Sequence, residues 1–134
     1  VSPTHHFEES DELRLIIEAG GLAEVLREAA RALGELGDSP SGELDPEPVE
    51  LTVEAPDAAG LLVGWLNEII GRAESDGWLA REFDVLEIGP KRLRVRARGS
   101  AWSSRSFPVK AATLDRARVV RTPDGFRAEV TLDV

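Results

Sequence analysis

The chain has 134 residues, 42% of them hydrophobic, and no cysteine. That is enough apolar material for one globular domain spanning 1–134 with a real core, and it excludes disulfides, cysteine-ligated zinc and thiol catalysis. A net charge of −9 disfavours non-specific binding to nucleic acid or anionic lipid, and no apolar run approaches about 20 residues, so neither signal peptide nor membrane span is expected and the reading is a cytoplasmic protein.

His5 and His6 are the two histidines, and they stand in an unpatterned stretch that reads as a terminal tail rather than a metal site. Leu13, Leu15, Ile17 and Ala19 alternate with Arg14, Ile16 and Glu18, the period of a half-buried strand. After Gly20 and Gly21, Leu22, Val25, Leu26, Ala29, Leu33 and Leu36 recur at helical spacing until Gly37. The following DSPSGELDPEP is a loop by composition. Val49, Leu51, Val53 and Ala55 make a second strand, stopped by Pro56, and Asp57 is a natural N-cap for the next helix. Leu61, Leu62, Trp65, Leu66, Ile69 and Ala73 form its apolar stripe, which predicts a shared core with Leu15, Val53 and Leu132. Gly60 and Gly64 lie on one side of that helix, which costs stability unless a neighbour packs close.

From Trp78 the pattern is β. Phe83 and Val85 share a strand, GPK turns the chain, and Leu93, Val95 and Ala97 alternate with Arg92, Arg94, Arg96 and Arg98. With no aromatics interleaved, the arginine stripe reads as a solvent face paired across to Glu82, Asp84 and Glu87 rather than a nucleic-acid ridge. Beyond a loop around Trp102, PVKAATL and ARVVR lead into the hairpin signal TPDG and a last alternating strand, Phe126 to Val134. The order β, α, β, α and then a run of β predicts an α+β fold: an antiparallel or mixed sheet with two helices packed on it.

Few residues carry chemistry. Ser103, Ser104 and Ser106 have no histidine placed for a triad, and no glycine-rich phosphate loop is present. The carboxylates remain. Strand parity sets Glu12 with Arg14 and Glu18 away from the core, Asp11 with Leu13, and Asp133 away from Leu132 and Val134. If first and last strands are neighbours, Glu12 and Asp133 converge, with Asp115 nearby, as oxygen ligands for a hard cation such as Mg²⁺ or Ca²⁺. The competing reading is a set of solvated surface acids.

PVKAATLDRARVVRTPDGFRAEVTLDV resembles the C-terminal Val-Lys-Ala-x-Thr-Tyr-His segment, hairpin and terminal Leu-Asp-Val of the archease family. LLVGWLNEIIGRAESDGWL is similar to that family's Leu-Asn-Glu-Leu helix, and LRLIIEAGGLAEVLREAARAL to the strand and helix after its His-Thr-Ala-Asp motif. The resemblance covers Glu9 to Val134. It implies a non-enzymatic accessory protein that activates a GTP-dependent tRNA-splicing RNA ligase, promoting its guanylylation and turnover through an acidic, metal-binding site. Carried over, the site is Glu12 and Asp133, with Lys110 implicated in cofactor binding; the reading of the residues themselves keeps Asp11 and Asp115 as further candidate metal ligands. Lys110 is one of only two lysines, against fourteen arginines. The motif departs from the family: His-Thr-Ala-Asp is here Glu9-Ser10-Asp11-Glu12, a slip of one would make Asp11 the carboxylate, and Tyr-His is Leu114-Asp115. Two other classes stay open: a chaperone-like, protein-modulating module without a ligase, and a small metal-dependent hydrolase using Glu12, Asp115 and Asp133. For the first reading the expected partner is a protein, with weak affinity for free RNA.

Overall fold

The computed structural model describes residues 2–37, 43–101 and 107–134. The elements run β1 (Thr4–Glu9), β2 (Leu13–Ala19), α1 (Leu22–Leu36), β3 (Val49–Glu54), α2 (Ala58–Asp76), β4 (Trp78–Ile88), β5 (Arg92–Ala101), β6 (Ala111–Thr122) and β7 (Gly125–Asp133). The α+β class holds, but the strands divide into two sheets instead of one, ordered β1-β2-β7-β6 and β3-β5-β4. Every pairing is antiparallel. Each helix touches strands of both sheets, α1 against β1, β2, β7 and β4, and α2 against β6, β3 and β4.

The N-terminal tail expectation is overturned. Thr4–Glu9 is an edge strand paired to β2 from Thr4↔Glu18 to Glu9↔Leu13. His5 and Phe7 turn inward while Thr4, His6 and Glu8 face out. The inward row is a histidine and a single phenylalanine, so the period-2 apolar signal is weak. His5 is held by two acids of α1, Nδ1 at 2.5 Å from Glu28 and Nε2 at 2.8 Å from Glu35. Burial opposes its protonation, but the bonds to Glu28 and Glu35 and the charges of both outweigh this and raise its pKa. Both ring nitrogens meet acceptors, which the imidazolium satisfies as a double donor.

The core forms as the periodicities require. Trp65 and Leu66 are buried in one cluster with Leu15, Val53 and Leu132. Trp65 donates Nε1–H to the Leu26 carbonyl at 2.9 Å and stands edge-on to Phe83 with ring centroids 5.5 Å apart. Asp57 caps α2, its Oδ1 accepting from Gly60 N at 2.8 Å, and Gly77 ends the helix at φ +60°. The two helical glycines have their close neighbour. A Cβ on Gly64 would lie 2.7 Å from Val53 Cγ1, and one on Gly60 2.9 Å from the Ala55 Cβ. Asn67 joins α2 to β6 by a paired bond, Nδ2 to the Ala112 carbonyl at 3.0 Å and Ala112 N to Oδ1 at 2.8 Å. A side-chain amide thus stands in for a strand's backbone and fixes where β6 begins.

The arginine stripe behaves as a solvent face. Arg94 bonds Glu50 at 2.7 Å and meets Glu87 at 3.4 Å, Arg98 lies 3.9 Å from Glu82, and Asp84 is opposite Arg96 in register. Trp102, Ser103, Ser104 and Ser106 lie outside the described residues.

Candidate functional site

The predicted carboxylates come from three separate parts of the chain. Glu12 is not in a strand, as parity supposed, but in the Ser10–Glu12 bend joining β1 to β2. Because β2 pairs with β7 and Leu13 faces Leu132, the residues one step beyond that pair, Glu12 and Asp133, fall at the same end of the sheet. Asp115 arrives by a different device. Between the pairs Thr113↔Thr131 and Arg118↔Glu129, residues Leu114 to Ala117 of β6 stand opposite the single residue Val130. The surplus bulges outward, with Arg116 at φ +60°, a left-handed conformation uncommon for a side chain other than glycine.

Together these segments line a cavity of about 380 Å³, walled by Asp11, Glu12, Asp115 and Asp133 with Thr113 and Thr131. Lys110 adjoins this corner through its backbone, its N–H donating to the Asp133 carbonyl at 2.7 Å; its side chain is not part of the cavity wall.

Two features were not foreseen. Arg116 makes an ion pair with Glu12 and lies 3.8 Å from Asp115, so a guanidinium already offsets part of the repulsion among the acids. Second, Thr131 Oγ1 is buried with no hydrogen-bond partner among the described residues. Four carboxylates on one cavity suit a hydrated hard cation in donor chemistry. Among the described residues, however, no three acidic or histidine side chains converge at metal-binding distance. The donors fit in kind, and Glu12 can join the other three on a cation only by leaving Arg116. The sequence signal for Arg116 was its place directly after Leu114-Asp115; a left-handed residue in a β pattern leaves no other trace.

The outer face of the same sheet is organised by charge. Arg14 bonds Glu129 at 2.7 Å, and Arg127 bonds Glu129 at 3.2 Å and Glu18 at 2.8 Å. Burial pushes the Glu129 carboxyl up, but hydrogen bonds from Arg127 and Arg14 prevail and hold its pKa below the usual carboxylate range.

Residues 6–134 match the model of the Archease protein family, and the chain belongs to that family. It is 34% identical over 118 residues to the protein archease of Methanopyrus kandleri, covering 83% of this chain and 84% of that one. Against the protein archease of Methanosarcina barkeri it is 32% identical over 93 residues, covering 63% of this chain and 64% of that one. The crystal structure of an archease from Thermotoga maritima, described as a possible chaperone, superposes with a TM-score of 0.64 at 20% identity, covering 98% of this chain and all of that one. That likeness bears on the fold. Among the described residues no helix is long and apolar enough to cross a membrane.

Proposed function

We propose that this chain is an accessory protein, not itself an enzyme, that activates a GTP-dependent RNA ligase joining 3′-phosphate and 5′-hydroxyl ends, by promoting guanylylation and repeated turnover. The observation that supports it is that Glu12 and Asp133, the two positions that match the family's acidic site despite the altered Glu9-Ser10-Asp11-Glu12 motif, line one cavity together with Asp11 and Asp115. Asp133, Asp115 and Asp11 would hold a divalent cation such as Ca²⁺ or Mg²⁺, with Glu12 joining once released from Arg116. The cation would supply a positive charge toward which a phosphate can be drawn. The chain's own part is to hold the carboxylates at a sheet end, where the β6 bulge presents them outward, and to adjust their charge through Arg116.

A second reading has its own observation. The ion pair of Glu12 with Arg116 satisfies the corner without a metal, as a chaperone-like module acting on other proteins would allow. The test is guanylylation of the ligase from the same organism with and without this protein, beside metal titration. Wild-type stimulation that is lost with Asp133→Ala supports the activator. A wild type that leaves the ligase unchanged removes the ligase from the account. A hydrolase is disfavoured because the two histidines lie elsewhere, His5 in ion pairs with α1 and His6 beside Glu8.

A further inference from the structure

In the four-stranded sheet, β1 is the one strand without a fully buried residue. It lies at the edge and pairs only with β2 among the described residues, whereas Leu15 and Ile17 of β2 are completely buried. Segments with few buried contacts open locally at less cost than global unfolding. Beyond the ladder, two inward side chains hold β1: Phe7, packed against the core, and His5.

The His5 ring stands between two carboxylates of α1, Nδ1 at 2.5 Å from Glu28 and Nε2 at 2.8 Å from Glu35. Glu28 is 5% exposed, and its other oxygen accepts from Arg31 at 2.8 Å. Arg31 and Glu35 also line, with Arg81 of β4, the space beside α1. From β1 itself, Phe7 sets its ring nearly perpendicular to the imidazole, with centroids 5.9 Å apart. The β2 residue opposite His5 is the uncharged Ile17. The ring thus faces two acids directly, with Arg31 behind Glu28. Protonated, it donates to both. Neutral, it keeps one N–H and turns a lone pair toward the other carboxylate, so one link becomes repulsive. Burial disfavours the charged ring, yet the bonds to Glu28 and Glu35 and their charges prevail and raise the pKa. Both links are therefore complete below the free value of about 6.5 and are lost as pH rises through the docked value.

At its other end β1 leads into the acidic corner. Glu9 pairs with Leu13, and Ser10 N–H donates to the Glu12 carbonyl at 3.1 Å, so the bend carrying Asp11 and Glu12 closes on the last pair of β1. We propose that His5, Glu28 and Glu35 form a proton-operated clasp, which holds β1 on α1 while the imidazole is charged and lets β1 and the Asp11–Glu12 bend come away from β2 when it is neutral. β2 stays in place, paired on its other side to β7 and anchored by Leu15 and Ile17. Asp11 and Glu12 then leave the wall they share with Asp115 and Asp133, and the corner is complete only while His5 carries its proton. The clasp stands whatever that corner does; its value as regulation rests on the activator reading. The experiment uses neither ligase nor metal, so the two fail separately.

Amide exchange of the full chain is followed by NMR through the titration of His5, each rate divided by its intrinsic rate at that pH. Protection at residues 4–10 should fall by about tenfold or more as the ring loses its proton, the size expected for a lost hydrogen bond to a charged group, while α2 and β7 remain far better protected. His5→Gln should show the low protection at every pH, Glu35→Gln should move the midpoint to lower pH, and His6→Gln should leave it where it is. Protection at residues 4–10 that stays level through the titration would overturn the clasp. So would a pH dependence that persists in His5→Gln, or exchange of residues 4–10 only at the rate of α2 and β7. A Ser10 amide that stays protected while residues 4–9 open would overturn the reach of the clasp to Asp11 and Glu12.

Discussion

Gly64 and Gly71 lie in the same helix, and the same substitution should move stability in opposite directions. Alanine in place of glycine within a helix gains about 1 kcal/mol from backbone entropy. At Gly71 a new Cβ meets nothing within 4 Å, so that gain stands. At Gly64 it would lie 2.7 Å from Val53 Cγ1, whereas carbon contacts settle near about 3.5–4.0 Å. Helix and strand must then separate by about 0.8 Å or more, against a buried core in which overpacking costs about 1–3 kcal/mol. The net expectation is a loss of up to about 2 kcal/mol for Gly64→Ala and a gain of about 1 kcal/mol for Gly71→Ala. For a chain of 134 residues, 1 kcal/mol corresponds to about 3–4 °C in Tm. Thermal and urea melts of both variants decide it, and Val53→Ala added to Gly64→Ala should recover part of the loss. Equal stabilisation by both substitutions would refute the close approach of β3 to α2.

His5 has a raised pKa in the fold, so its contribution is fully present below the unfolded value of about 6.5 and is lost as pH rises through the folded value; urea melts of His5→Gln should trail wild type below about pH 6 and converge with it in alkali. Asn67→Leu removes both bonds to Ala112 and should cost about 1–3 kcal/mol, with faster amide exchange at the start of β6. Arg116→Gly removes the cation from Glu12 and suits φ +60°; calorimetric titration should show tighter Ca²⁺ or Mg²⁺ binding than wild type, and unchanged affinity would mean that Arg116 does not compete with a cation.

Helices and core were legible in the sequence because their apolar periods are long and unbroken, as from Leu61 to Ala73. β1 was not, since its inward row is His5 and Phe7 and the histidine's partners, Glu28 and Glu35, are more than twenty residues away. Alternation shows that Val53 and Val95 face a core, but not that β3, β4 and β5 form a sheet apart from β2 and β7. Parity correctly sent Asp133 outward, while Glu12 reached the same corner from a bend. The link between them, Arg116, depends on a left-handed residue inside a strand, which no periodicity records.

The surplus of β6 is absorbed between two intact pairs, Thr113 with Thr131 and Arg118 with Glu129. Residues 114–117 can therefore change in identity, and even in number, while the strands on either side keep their alignment. In that respect the corner resembles an interchangeable fitting on a fixed mount. Leu114, 63% exposed, and its neighbours Asp115 and Arg116 are where a descendant of this chain could acquire a new client at little cost to its architecture.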